Sequence, residues 1–376
     1  MRRFLAALAC LAAGILIGLW LRRPAPAPPA AVIPLPAAPA PAPRAVPPPA
    51  PGLACGMAAS FHGNLYPSLI LSLGASHPEY ARCLELEIDH AAPDQPCEVR
   101  IESNLFQTPF FLSGLPGSDR WMLHPELPWN YDALRRSTQT LPVLFVVTAR
   151  SGGHTAQATL TCMVHPVNEV VSRVYDRAAG AWQDTSICFA AFVNEDHPWI
   201  NQLLQEAQAQ GGVTHFSGYE FGQVSVAEQM QAIWAALAAR RLSYVDLGTV
   251  STADVSDVAT QYVRFLDQSV RDQGANCVDA SVVIAAIFRR IGLRPVLVFR
   301  PGHCFVAVYD SAAGGQLLAL ETTMLGANSF SAALVYGAQE LQNTTANLGT
   351  PGYSLVDIGT ARAQGVRPIG YAEAGP

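Results

Sequence analysis

Residues 274–323 read GANCVDASVVIAAIFRRIGLRPVLVFRPGHCFVAVYDSAAGGQLLALETT, and the rest of the chain is interpreted outward from them. Residues 277–291 are apolar on nearly every side, through Val278, Val282, Val283, Ile284, Ala285, Ala286, Ile287 and Phe288. That is the pattern of a helix lying inside a domain. Gly292 follows in the position that commonly ends a helix. Two strands are expected next, at 295–299 and 303–309, joined by Arg300-Pro301-Gly302. A third, at 316–322, is reached through the Ala312-Ala313-Gly314-Gly315 turn.

Three side chains in this stretch form a candidate catalytic set. Cys277 stands at the first turn of the helix, where unpaired N–H groups and the helix dipole stabilise a thiolate. A hairpin centred near residue 312 sets His303 opposite Glu321 on one face of adjacent antiparallel strands, with Cβ atoms about 4.5–5.5 Å apart. A carboxylate there accepts the ring N–H and fixes the tautomer, which leaves the other nitrogen toward the thiol. Taken singly, each residue has an ordinary reading: a buried cysteine, a turn histidine, a solvated glutamate. Together they follow the logic of a nucleophile, base and orienter triad in a cysteine version. Cys304 neighbours His303, so strand parity sends its side chain to the opposite face, into the core. Asp279 should face away around the helix, as a local cap or a surface charge.

The composition narrows the chemistry further. The net charge is −6, so the basic surplus of a nucleic-acid binder is missing and no nucleic-acid partner is expected. Lysine is absent and all 23 basic residues are arginine, which excludes a lysine base, Schiff base or P-loop ligand. The eight cysteines include no C-x-x-C pair, so no structural zinc site is expected. With Cys10 and Cys277 set aside, Cys55, Cys83, Cys97, Cys162, Cys188 and Cys304 remain. They are either paired in an oxidising compartment or small buried apolar groups, and both readings stay open. Neither a metal nor an organic cofactor is needed.

Residues 1–23 read as an uncleaved membrane anchor. Residues 4–21 are uncharged and just long enough to cross a bilayer as a helix, with Trp20 at the interfacial end. The rival is a cleaved signal peptide, but Arg22-Arg23-Pro24 leaves no small-x-small cleavage site. Two arginines lie on each side of the run, so only the N-terminal amine biases the orientation. The usual arrangement puts the short N-terminus inside and the soluble part on the extracytoplasmic, periplasmic side of the inner membrane. Residues 24–54 form a Pro/Ala linker; 24–52 hold thirteen of the 29 prolines. Such a tract runs as polyproline II, a semi-rigid spacer of roughly 90 Å at full extension.

Residues 55–172 contain short alternating runs: Leu69-Ile70-Leu71 before Gly74, 83–88 ending at Asp89, 97–101, and 141–148 returning through 155–164. This spacing predicts an antiparallel, immunoglobulin-like β-sandwich, with a hairpin at Gly152-Gly153. His77, His124, His165 and His197 each precede proline and mark turns rather than metal ligands. Residues 186–376 form a second domain. Helical spacing covers 198–210, and Ser225-Val226-Ala227-Glu228 is a capping box ahead of the Met230, Ile233, Trp234 and Leu237 face. A third helix is expected to carry Tyr262, Phe265 and Leu266 and to end near Gly274.

Residues 276–323 resemble the transglutaminase-like superfamily, which shares a papain-like cysteine-proteinase core and uses Cys, His and Asp in that order. More loosely, 55–376 resembles a bacterial family that joins a β-sandwich to such a domain. The supporting stretches are AAFVNEDHP at 190–198, NCVD at 276–279, PGH at 301–303 and LETT at 320–323. The resemblance implies an α+β fold with Cys277 as nucleophile, His303 as base and Glu321 in the aspartate's place. The substrate implied is a peptide or protein amide, with the cell envelope as one source. Val278 stands where cross-linking transglutaminases have tryptophan, and Phe305, after Cys304, replaces the usual tryptophan near the histidine. These departures narrow the expectation to a hydrolase or an acyltransferase of unknown acceptor. The alternatives are a catalytically inactive binding or adhesion module of the same fold, and a structural spacer protein of the envelope.

Overall fold

A computed structural model describes residues 50–370, apart from 59, 60, 62, 92, 178, 221–223 and 246–256. The expected anchor at 4–21 and nearly all of the linker lie outside the described residues. Among the described residues no helix is long and apolar enough to cross a membrane.

The fold is mixed α+β. Its first part runs β1 (Gly52–Met57), β2 (Asn64–Leu65), α1 (Pro67–Leu73), β3 (Leu84–Asp89), β4 (Cys97–Ile101), β5 (Phe110–Gly114), β6 (Arg120–Leu123), α2 (Tyr131–Arg135), β7 (Leu141–Ser151) and β8 (His154–Val164). These strands make two sheets, in the orders β1-β3-β6 and β2-β8-β7-β4-β5. Alternate residues point inward, as strand geometry demands. Leu84, Leu86 and Ile88 of β3 share one core with Val99 and Ile101 of β4 and with Phe145 and Val147 of β7. The β7–β8 turn is the expected Gly152-Gly153, with φ of 57° and 81°. Positive φ at both positions is what a two-residue hairpin turn requires.

Two expectations change here. Leu69-Ile70-Leu71 is not a strand but the middle of α1. Pro67 supplies the fixed φ of a first helical turn, and a three-residue apolar run carries no period that separates helix from strand. Strand β1 also begins at Gly52, so Gly52, Leu53 and Ala54 are sheet rather than spacer.

The second part runs β9 (Glu169–Asp176), β10 (Ala181–Asp184), α3 (Pro198–Ala209), α4 (Val226–Ala239), β11 (Ser243–Tyr244), β12 (Val258–Tyr262), α5 (Leu266–Asp272), β13 (Gly274–Ala275), α6 (Cys277–Arg290), β14 (Pro295–Arg300), β15 (His303–Tyr309), β16 (Leu317–Leu320), α7 (Phe330–Ala346), β17 (Ser354–Asp357) and α8 (Ile358–Ala363). Ser225 and Glu228 form the expected capping box of α4. Tyr262 ends a strand instead of opening a helix, because Val258, Thr260 and Tyr262 belong to an alternating segment paired with distant β9. Phe265 precedes the first turn of α5, which is shorter than expected.

The antiparallel sheet β16-β15-β14-β17 organises this second part. Helix α6 is buried along Val278–Phe288 and shares a core with Leu297, Cys304, Val306 and Val308 on one sheet face. Val296, Val298, Phe305, Ala307 and Ala319 form a smaller cluster on the other face, with Leu341 of α7 against it. The strand pattern therefore sorts His303 and Cys304 to opposite faces, as parity required.

Candidate active site

The candidate set comes together where α6 begins. Asn276 caps the helix, its Oδ1 accepting from the N–H groups of Val278 and Asp279 at 2.9 Å each. The Asp279 carboxylate accepts in return from the Asn276 N–H at 3.1 Å. This is a capping box with aspartate at its third position, and it leaves the first turn little freedom. Asp279 is fully buried, and it also accepts from the Arg264 N–H at 2.8 Å and pairs with the Arg264 guanidinium at 3.0 Å. Burial raises the Asp279 carboxyl pKa above its ordinary value, against the opposing pull of the Arg264 and Asn276 donors. Asp279 is thus the cap that the sequence allowed, but a buried one, not a surface charge.

Cys277 follows the cap at the first helical position and is partly exposed. Its carbonyl accepts from the Ser281 hydroxyl at 2.6 Å and from the Thr322 hydroxyl at 3.4 Å, and the two hydroxyls lie 3.1 Å apart. Ser281 and Thr322 are fully buried, so this polar seam ties the Cys277 turn to the segment after β16.

His303 opens β15, opposite Arg300 of β14. Its Nε2 lies 2.8 Å from Glu321 Oε2, and Glu321 is 1% exposed. The other carboxylate oxygen of Glu321 accepts from the Thr323 N–H at 3.0 Å and the Thr323 hydroxyl at 2.6 Å. With Nε2 engaged by the carboxylate, Nδ1 is the ring atom available to the Cys277 sulfur. The ring also stacks on Phe305, with centroids 6.0 Å apart.

The electrostatics follow from this packing. Burial pulls the His303 pKa down, but its hydrogen bonds to Cys277 and Glu321 and the negative charge on both outweigh burial and lift it to about 9. Burial pushes the Glu321 carboxyl up, and the hydrogen bonds from His303 and Thr323 together with the imidazolium charge carry it below its ordinary range. The imidazole thus sits between two groups that favour its charged form.

The expected register needs correction. Val306 pairs with Leu320 and Tyr309 with Leu317, so the hairpin is centred one residue later than the sequence reading put it. Strand β16 ends at Leu320, and Glu321 caps a following 3-10 turn over Thr322–Met324. Glu321 therefore reaches His303 diagonally from just beyond the strand end, not from directly opposite. The shift is an even number of positions along β16, so the two residues keep the same face and still meet.

Other expected features resolve as follows. Cys304 is buried and its thiol lies well above the ordinary range, through burial and the nearby negative charges of Cys277 and Glu321. All seven described cysteines are free thiols, which closes the disulfide reading for them. Among the described residues no group of His, Cys, Asp or Glu is placed to hold a metal ion. His197 caps α3, its Nδ1 accepting from the Trp199 N–H at 3.2 Å.

Several supporting groups escaped the sequence reading. The N-x-x-D spacing of Asn276 and Asp279 was a visible capping signature. The Thr322-Thr323 pair after Glu321 offered hydroxyls to the site. Arg264 carried no local signal, because it meets Asp279 only through the turn between β12 and α5. No protein-family model and no curated protein sequence matches this chain.

Proposed function

We propose that the chain is a thiol enzyme of transglutaminase-like, papain-related type that acts by acyl transfer on amide bonds. One observation carries this reading: the 2.8 Å bond from buried Glu321 to His303, whose ring also engages Cys277 at the first turn of α6. In this reading His303 takes the proton of the Cys277 thiol. The Cys277 sulfur attacks the amide carbonyl carbon, and a tetrahedral oxyanion forms. We assign its stabilisation to the Cys277 N–H at the first helical position, since the next two N–H groups are taken by Asn276. Collapse breaks the C–N bond, and the His303 proton passes to the departing nitrogen. Water or an amine then gives its proton to His303 and attacks the thioester carbon, and Cys277 leaves as thiolate.

The two sheets that share a core in residues 52–164 support an immunoglobulin-like sandwich as the companion domain. The proposed place is the extracytoplasmic side of the inner membrane, held by residues 4–21 and spaced by the Pro/Ala tract; it rests on the sequence of those segments. The substrate proposed is a peptide or protein amide of the cell envelope.

Iodoacetamide labelling between pH 6 and 7, mapped by peptide mass, tests the reading. Cys277 should be the dominant adduct. Cys277→Ala should abolish it, and His303→Ala should slow it at least tenfold. Labelling that is the same in Cys277→Ala as in the wild type would overturn the assignment and favour a non-catalytic binding module.

A further inference from the structure

Glutamate is one methylene longer than aspartate, so its carboxylate has an extra torsion through which to miss a fixed partner. In Glu321 that freedom is taken up at the oxygen farther from His303. The backbone is already placed, because the Glu321 N–H donates to the Ala333 carbonyl of α7 at 3.1 Å. The carboxylate then divides its contacts. Oε2 meets His303 Nε2 at 2.8 Å. Oε1 accepts twice from one residue, from the Thr323 N–H at 3.0 Å and from the Thr323 hydroxyl at 2.6 Å. The hydroxyl bond falls in the short, charge-assisted range. Glutamate is not among the preferred caps of a helical turn, and this two-donor grip is what lets it cap the turn over Thr322–Met324.

Thr322, the preceding residue, reaches the other way, to the Cys277 carbonyl and the Ser281 hydroxyl. The adjacent threonines therefore hold the Cys277 turn and the Glu321 carboxylate separately. Glu321 is 1% exposed, which seals it from the bulk water that could replace a lost donor. The Thr323 bonds are among the causes that keep this carboxyl below its ordinary range. The titratable groups electrostatically coupled to it are His303 and Cys304 of β15, with Cys277 of α6 beyond the ring. We infer that Thr323 is a positioning residue for the proposed reaction: its hydroxyl locks the carboxylate so that Oε2 stays on His303 Nε2 and the ring keeps Nδ1 toward Cys277. The inference rests on the thiol-enzyme reading above.

Thr323→Val keeps the shape and the backbone N–H but removes the hydroxyl, whereas Thr323→Ser keeps the hydroxyl. Thr323 is half-buried, so either change spares the core, and Thr323→Ala is a second variant without the hydroxyl. Two quantities are read on the intact chain. One is the His303 ring N–H proton by NMR, whose low-field signal reports the bond to the carboxylate. The other is the rate of Cys277 labelling by iodoacetamide between pH 6 and 7. Thr323→Val should move the ring proton upfield or lose it to exchange. It should also slow labelling about tenfold, the effect of one hydrogen bond to a charged group. Thr323→Ser should match the wild type on both. Valine and serine variants that behave alike would overturn the role of Thr323 alone, provided that labelling still falls in His303→Ala. So would a valine variant with the wild-type rate and an unmoved ring proton. Labelling that is independent of His303 would overturn the positioning role together with the thiol-enzyme reading.

Discussion

At the scale of single residues, the His303–Glu321 pair sets the pH behaviour of the site. Folding raises the His303 pKa from 6.5 to about 9. The stabilisation this brings is fully present below pH 6.5 and is lost as pH climbs through about 9. Glu321 moves the other way, so its contribution is present above 4.5 and is lost as pH falls through its lowered value. A pH series of melting temperatures should therefore decline on both limbs. His303→Gln should flatten the alkaline limb between pH 6.5 and 9. Glu321→Gln, which keeps the shape but removes the charge, should bring the His303 ring titration down from about 9 when followed by NMR. If acyl transfer depends on that charge, the same variant should lose about 10²–10⁴-fold in rate, the usual range for acid–base catalysis.

At the scale of elements, the helix that begins at Cys277 depends on what is buried under its first turn. Arg264→Met would leave the fully buried Asp279 carboxylate without its cation, a change that costs about 3–5 kcal/mol in comparable sites. Chemical denaturation should register that loss, and iodoacetamide labelling of Cys277 should slow with it. Helix α7 offers a sharper contest of magnitudes. Gly337→Ala gains about 1 kcal/mol of helix propensity. A Cβ there would meet the Ala319 carbonyl oxygen at 2.5 Å and its carbon at 2.7 Å, both backbone atoms that cannot swing aside. Overpacking of about 1–3 kcal/mol or more should win, so the variant is expected to melt lower and to weaken the contact between α7 and Glu321. These elements also mark how far the sequence could be read. Helix α6 and strand β15 were legible to within a residue because caps, apolar period and the Pro301-Gly302 turn are all local. Helix α1 was not, since three apolar residues carry no period. Strand β12 was not, since its partner β9 lies more than eighty residues away. Gly314 and Gly315, at φ of 99° and 124°, lengthen the loop before β16 and move its centre, which is why Glu321 was expected directly opposite His303 and is found diagonal to it. Helix α7 had a usable signal in Ser329 as its cap and in Ala333, Gly337 and Thr344 along its buried line.

At the scale of the whole molecule, the described residues make one compact unit, and a buried polar cluster clasps its two parts. His165 meets Glu169 at 2.8 Å and Asn64 of β2 at 2.9 Å, Tyr66 stacks on its ring at 4.5 Å, and Thr260 of β12 donates to Glu169 at 2.8 Å. Helix α1 works beside it, giving Ile70 to one core and Leu69 and Leu73 to the other. Glu169→Leu should strand buried polar partners on both sides and cost about 3 kcal/mol. Calorimetry should then resolve two transitions where the wild type should give one; a single unshifted peak would remove the clasp's role. The distribution of sulfur across this unit has a practical consequence. Of the seven described thiols only Cys55 and Cys277 reach the surface, and burial pushes Cys55 up to about 11. Alkylation read at Cys277 itself at neutral pH then becomes a census of folded molecules. Since the chain has no lysine, trypsin cuts only at arginine and delivers that census on one peptide, residues 272–289, which holds Cys277 and no second thiol.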